Sequence, residues 1–362
     1  MRALIGAALI GAAALAALAL TLHASAGPPQ PAPTPTPPAE ASAHPGAANP
    51  EESAMKTPAR HAHTVTAIAA APDGARLVTG DMKGGVIVWA RDAVTPIAAL
   101  TPPDALERSR VRGLAFSREG RLAIATDWTG TVELWDGERF AGAIRAATGQ
   151  VTAVAWTPDG ALLTGGTDRG APAGGDAPFD EEAPTPAVVT RWKGDTAERR
   201  FEGPTGMVGA LAVSAEGDYI AAGVGEQVVV WRASGGEPIA RFSGVGEVRA
   251  LAFDAADGAP RLVAVGAGGL RTTAGEGFEP GPVQTAVKAP AAAIITADRV
   301  AAAGYDQIRI HQRPDLEPIG EVPGRAYAAT AVGDALWIAL ADAVVRVDAT
   351  GREGARHRIG GK

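Results

Sequence analysis

The chain of 362 residues contains no cysteine. That absence excludes disulfides, thiolate metal sites, a Cys-x-x-Cys-His haem attachment and a lipid-modified cysteine behind a signal sequence. Histidine is scarce, with six in the whole chain, so a histidine-based active site has few candidates. There is no Gly-x-Ser-x-Gly elbow, no Gly-rich loop leading into Lys-Ser/Thr, and no His-Glu-x-x-His zinc motif. No nucleophile stands with an identifiable base, so no catalytic residue and no cofactor are assigned. Basic residues form no cluster with interleaved aromatics, and the net charge is −7; nucleic acid is not an expected partner. Beyond residue 22, no segment is apolar enough to cross a membrane.

The N-terminus is a different matter. Residues 1–26 read as an export signal: Arg2 supplies the positive end, an uncharged run follows, and Ala24-Ser25-Ala26 forms a small-x-small cleavage site before Gly27. The apolar run from Ala3 to Leu22 is 20 residues, long enough to span a bilayer, so an uncleaved N-terminal anchor is the alternative. Residues 27–58 are rich in proline and alanine, as in Pro28-Pro29-Gln30-Pro31 and Pro35-Thr36-Pro37-Pro38. Such a segment buries too little surface to fold and favours extended polyproline II, so it reads as a disordered or semi-rigid linker. The protein is thus expected to be exported and periplasmic, or held at the inner membrane if the signal stays uncut.

What the rest of the chain has is repetition. One phrase recurs as Val65-Thr66-Ala67-Ile68-Ala69, Val111-Arg112-Gly113-Leu114-Ala115, Val151-Thr152-Ala153-Val154-Ala155, Val208-Gly209-Ala210-Leu211-Ala212 and Val248-Arg249-Ala250-Leu251-Ala252. Each copy runs into an acidic-Gly turn, at Asp73-Gly74, Glu119-Gly120, Asp159-Gly160, Glu216-Gly217 and Asp257-Gly258. In four copies a later strand ends on tryptophan: Trp89, Trp135, Trp192 and Trp231. A period of about 40 residues, made of short apolar runs and Gly-rich turns, means radially arranged four-stranded sheets. Residues 59–362 then accommodate seven such blades, an all-β seven-bladed β-propeller; six blades plus an irregular sheet is the rival count. In the sixth repeat, His311 falls where the tryptophan would be. In the seventh, Trp337 lies inside a strand and is expected in the core. A ring must be closed, either by a strand before Val65 or by Arg352 to Ile359, and the C-terminal version is favoured.

The pattern resembles the Trp-Asp (WD) repeat propellers. Leu134-Trp135-Asp136 is a full match to the Trp-Asp ending, and Ala71-Pro72-Asp73-Gly74 and Thr157-Pro158-Asp159-Gly160 look like that family's Ser-Pro-Asp-Gly turn. The resemblance implies a binding scaffold, and it implies that a His, Ser/Thr, Asp and Trp can form a hydrogen-bonded tetrad within a blade. Six and eight residues before Trp89 stand Lys83 and Asp81, and before Trp135 stand Thr129 and Asp127; His61 alone falls in a tetrad position. On that count the blades are expected to rely on apolar packing. Together with the export signal, the Ala- and Gly-rich repeats resemble a bacterial envelope protein.

Function is expected on loops. The loops entering each blade and the turns between second and third strands share one face, which receives Trp128, Tyr305, Asp306, Lys83 and Arg110. An insertion in the third repeat, about Gly170 to Ala187, brings Phe179, Asp180, Glu181 and Glu182 to the same face. These residues are the expected contacts for a protein partner whose identity the sequence does not name. His61-Ala62-His63 is a weak metal candidate, since two imidazoles at i and i+2 of an extended segment share a side. The alternative function is therefore a redox accessory protein or propeller enzyme that binds a periplasmic cytochrome, or a metal near His61 and His63.

Overall fold

The computed structural model describes residues 60–362, apart from 92–94, 104–105, 128, 148, 168–185, 257–258, 286, 288–291, 297, 305, 333 and 360–362. The expected signal and linker lie outside the described residues. Among those described there is no helix, and 28 strands form seven four-stranded antiparallel sheets. Every sheet is a meander, each strand bonded to the next in sequence. The chain folds as a seven-bladed β-propeller. Blade one comprises Val65–Ala70, Arg76–Asp81, Val86–Ala90 and Pro96–Ala99.

The repeated phrase forms the inner strand of each of the first five blades: Val65–Ala70, Val111–Phe116, Val151–Trp156, Val208–Val213 and Val248–Ala256. Its leading valines are fully buried or nearly so. The acidic-Gly turns follow for a steric reason: Gly74, Gly120, Gly160 and Gly217 all adopt positive φ, which a side chain disfavours. Blades meet closely because the second strand offers glycine to the next blade's valine. A Cβ on Gly80 would stand 2.5 Å from Val111, and one on Gly165 would stand 2.6 Å from Val208.

The C-terminal strand Glu353–Arg358 completes blade seven, as the outer partner of Ala343–Val347. Closure is then made by packing and by two backbone bonds, His61 N–H to the Ile359 carbonyl at 2.5 Å and Val65 N–H to that of Ala341 at 3.3 Å. Trp337, Ala339, Val344 and Ile359 of blade seven form one apolar cluster with Val65, Leu77, Ile87 and Trp89 of blade one. Trp337 is a core residue, as expected.

The expectation of purely apolar blades is corrected by the structure. The Trp89 indole N–H donates to Thr79 Oγ1 at 2.7 Å, Thr79 Oγ1 lies 2.6 Å from His61 Nε2, and His61 Nδ1 lies 2.9 Å from Asp81 Oδ2. A carboxylate only accepts, so Nδ1 carries the proton toward Asp81 and Nε2 accepts from the Thr79 hydroxyl. The tetrad of blade one is complete, with Asp81 eight and Thr79 ten residues before Trp89. The six-and-eight count missed it because strand register, not sequence offset, sets the partner. Leu77 lies opposite Trp89 and Thr79 opposite Ile87, so Thr79 is the indole's diagonal neighbour on one face of the sheet.

Blade two departs in another way. Ile124 and Glu133 face each other as Thr79 and Ile87 do, so the polar side chain has moved to the opposite strand. Glu133 accepts from the Trp135 indole at 2.9 Å and from Arg108 Nε and Nη2, each at 2.6 Å. Neither Thr129 nor Asp127 takes part. In blade three, Trp192 donates to Thr164 at 2.9 Å, the register equivalent of Thr79. In blade six His311 does occupy the tryptophan register, opposite Val300, and is buried.

Candidate functional site

Antiparallel pairing puts the start of every inner strand on the same face as the turn between second and third strands. This inlet face is organised by two columns that flank the leading valine of each repeat. The column before it reads Thr64, Arg110, Gln150, Met207 and Glu247, and Tyr327 stands before the inner strand Ala328–Val332 of blade seven. The column after it reads Thr66, Arg112, Thr152, Gly209 and Arg249. Since side chains alternate along a strand, both columns lie on the side of the strand opposite the leading valine's side chain. Thr66, Arg110, Arg112, Thr152, Met207, Glu247, Arg249 and Tyr327 line the central channel, whose volume is about 540 Å³.

The channel side chains divide into those that join blades and those that do not. Thr66 donates to the Val111 carbonyl at 2.8 Å and Thr152 to the Val208 carbonyl at 2.6 Å, each tying its blade to the next. Where the repeat has arginine instead, a cation enters the channel. Arg112 pairs with Asp127 at 2.9 Å, and Arg249 with Glu247. The Arg110 carbonyl accepts from the Asp127 N–H at 2.8 Å, but its guanidinium makes no hydrogen bond or ion pair with a described residue, and its Nε is buried. Burial disfavours its charged form, and the charge of Arg112 adds to that effect; Asp127 and Tyr327 oppose it, yet its pKa is held below the usual arginine value.

Of the residues expected here from sequence, Arg110 is on the channel rim, half-buried. Lys83 is exposed in the turn of blade one, where its backbone N–H donates to Asp81 Oδ1 at 2.8 Å. Asp306 is exposed, and its carbonyl accepts from the Gly324 N–H at 2.8 Å. Trp128, Tyr305, Phe179, Asp180, Glu181 and Glu182 lie outside the described residues. The strands that flank them, Arg121–Thr126 and Thr131–Asp136, Arg299–Ala303 and Gln307–Gln312, and Leu162–Thr167 and Pro186–Lys193, have their junctions on the inlet face. His61 and His63 diverge in role: His63 is exposed, whereas both ring nitrogens of His61 are engaged inside the tetrad.

Sequence reasoning missed Arg112, Arg249, Met207, Glu247 and Tyr327. The signal was available in the variable columns beside a nearly constant valine, on the innermost strand of each blade, which borders the channel.

Three stretches, residues 54–90, 102–136 and 140–171, match the family described as WD domain, G-beta repeat. They cover the first two repeats and the beginning of the third, including the residues of the hydrogen-bonded network of blade one. No curated protein matches the chain.

Proposed function

We propose that this chain is an exported, non-catalytic binding or scaffolding module of the bacterial cell envelope, docking a protein partner on the inlet face. The observation that carries the reading is the WD-repeat propeller itself, a fold whose blade cores are consumed by packing and whose free side chains collect on loops. WD-repeat propellers serve generally as protein-interaction scaffolds. Supporting it, the inlet face exposes Met82 and Met207 at 45% and 42%, beside Lys83 and Arg110. Apolar and cationic groups mixed on a rigid face suit a partner interface. The alternative of a redox accessory protein or propeller enzyme leaned on a metal held by His61 and His63. With His61 committed to Asp81 and Thr79, that pair offers a cation one free imidazole rather than two.

The export half of the proposal rests on residues 1–26 and on the linker to residue 58. N-terminal sequencing should find a mature chain beginning near Gly27 in a periplasmic fraction; a soluble cytoplasmic chain retaining Met1 would refute it. For docking, Trp128→Ala, Tyr305→Ala and deletion of 170–187 should leave the melting temperature nearly unchanged while weakening partner binding. A lost tryptophan anchor should reduce affinity by about 2 kcal/mol or more. Binding that maps instead to the Asp73-Gly74 and Asp159-Gly160 turns, on the opposite face, would overturn the docking assignment.

A further inference from the structure

We infer that the channel mouth is the docking point for an acidic peptide segment of the partner, with a carboxylate seated against Arg110; this rests on the inlet-face reading above. The chain carries a net charge of −7, so a surplus cation at its axial channel runs against its overall balance. The charged residues lining the channel are Arg110, Arg112, Arg249 and Glu247; Asp127 holds Arg112, and Arg325 lies 5.2 Å from the centroid of the Tyr327 ring. Arg112 is held by Asp127 Oδ2 and Arg249 by Glu247, which leaves Arg110 as the guanidinium without a partner among the described residues. Asp127 Oδ1 is likewise buried and unpartnered, but its carboxylate is already bound on the other oxygen by Arg112.

The Arg110 guanidinium has five donors; its Nη groups can reach water, but the buried Nε–H is unmet, which is unfavourable. A carboxylate delivered from outside would satisfy two of them in parallel and would also relieve the repulsion between Arg110 and Arg112. A peptide is favoured over a nucleic acid because the rim adds an exposed thioether at Met207 and a phenol ring at Tyr327, which suit apolar side chains flanking the acid. Among the described residues lining the channel the cations are Arg110, Arg112 and Arg249, two of them paired, too few to track a phosphate backbone. A channel of about 540 Å³ is of a size to take several side chains.

The test uses the full mature chain and a fluorescein-labelled peptide with a Glu-Glu-Asp centre flanked by leucines, against a Gln-Gln-Asn twin. Anisotropy should show saturable, salt-sensitive binding of the acidic peptide and at least tenfold weaker binding of the twin. Arg110→Ala should weaken the acidic peptide at least tenfold and remove the preference over the twin, while Arg346→Ala, on an outer exposed position, should change nothing. Hydrogen exchange with bound peptide should protect the start of Val111–Phe116. Equal binding of both peptides, insensitivity to Arg110→Ala, or tighter Arg110-dependent binding of single-stranded DNA would each overturn the inference. If an envelope partner protects the inlet face but ignores Arg110→Ala, this inference fails and the docking reading stands. Protection confined to the opposite-face turns would end both.

Discussion

In blade one the indole of Trp89 donates to Thr79 and begins a chain of side-chain bonds that ends on Asp81, whereas in blade four the indole of Trp231 donates to no described residue. The two tryptophans hold the same register, opposite Leu77 and Ile220, and both are fully buried. What differs is the diagonal neighbour: Thr79 in blade one, Ala222 in blade four. The position therefore demands volume first. Around Trp231 that volume is completed by Phe201, with ring centroids 5.8 Å apart. The polar chain of blade one adds a second task. It ties the approach segment at His61 and the turn at Asp81 to the place where the ring closes, with His61 N–H bonded to Ile359. Blade two solves the problem a third way, with a buried Arg108–Glu133 pair at 7% and 5% side-chain exposure.

The largest effect should come from breaking that third solution. Glu133→Ala would leave Arg108 buried without its carboxylate and Trp135 without an acceptor, at a cost of about 3–5 kcal/mol in urea unfolding. A loss below about 1 kcal/mol would mean that Arg108 turns outward to water, and that the pair contributes little. Next, Thr79→Val removes the acceptor of Trp89 and the donor to His61 at nearly constant volume, and should destabilise by about 2 kcal/mol. A smaller contrast sharpens the comparison itself. Trp89→Phe and Trp231→Phe delete similar volume, but only the first breaks a hydrogen bond, the one the indole donates to the buried Thr79 Oγ1. Trp89→Phe should therefore cost about 1 kcal/mol more; equal costs would show that the tetrad adds nothing to packing.

The smallest effect is on acid stability. Burial of Asp81 opposes its charge, but bonds from His61 and from the Lys83 and Gly85 N–H groups outweigh burial, and its pKa lies below the ordinary 3.8. The folded chain thus binds less proton at this site than the unfolded chain does. Stability from Asp81 is complete above the unfolded pKa and is lost as pH falls through the folded one. Urea midpoints measured across that window should fall with acidification, and Asp81→Asn should flatten part of the fall at the cost of lower stability near neutrality. An unchanged acid limb in Asp81→Asn would show that the carboxylate is not selectively stabilised by folding.

Much of this was legible beforehand because it is periodic. The five valine-led phrases and their acidic-Gly turns follow from sterics that recur in the first five blades, and His311 was placed by the same spacing. The tetrad was not legible by counting, because Trp89 meets its diagonal neighbour across a ladder whose register is set by the turn from Met82 to Gly85. Nor was Arg108, which reaches Glu133 from a loop 25 residues away. The expected contacts Trp128, Tyr305 and Phe179 fall outside the described residues, so their part in docking stands on sequence.

By itself the sequence determined a repeated four-stranded unit, because alternating apolar residues and positive-φ glycines leave the backbone few other ways to bury its surface. Whether the ring holds seven blades, and which terminus closes it, was decided only in three dimensions, by the seam of Trp337, Ile359, Val65 and Trp89. The same is true of the channel mouth. Arg110 and Arg249 are 139 residues apart in the chain (249 − 110) and belong to one channel only because the blades are arranged around a common axis. Side-chain alternation was already encoded in each strand, but which side chains would be left without a partner depended on what the neighbouring blades brought to them.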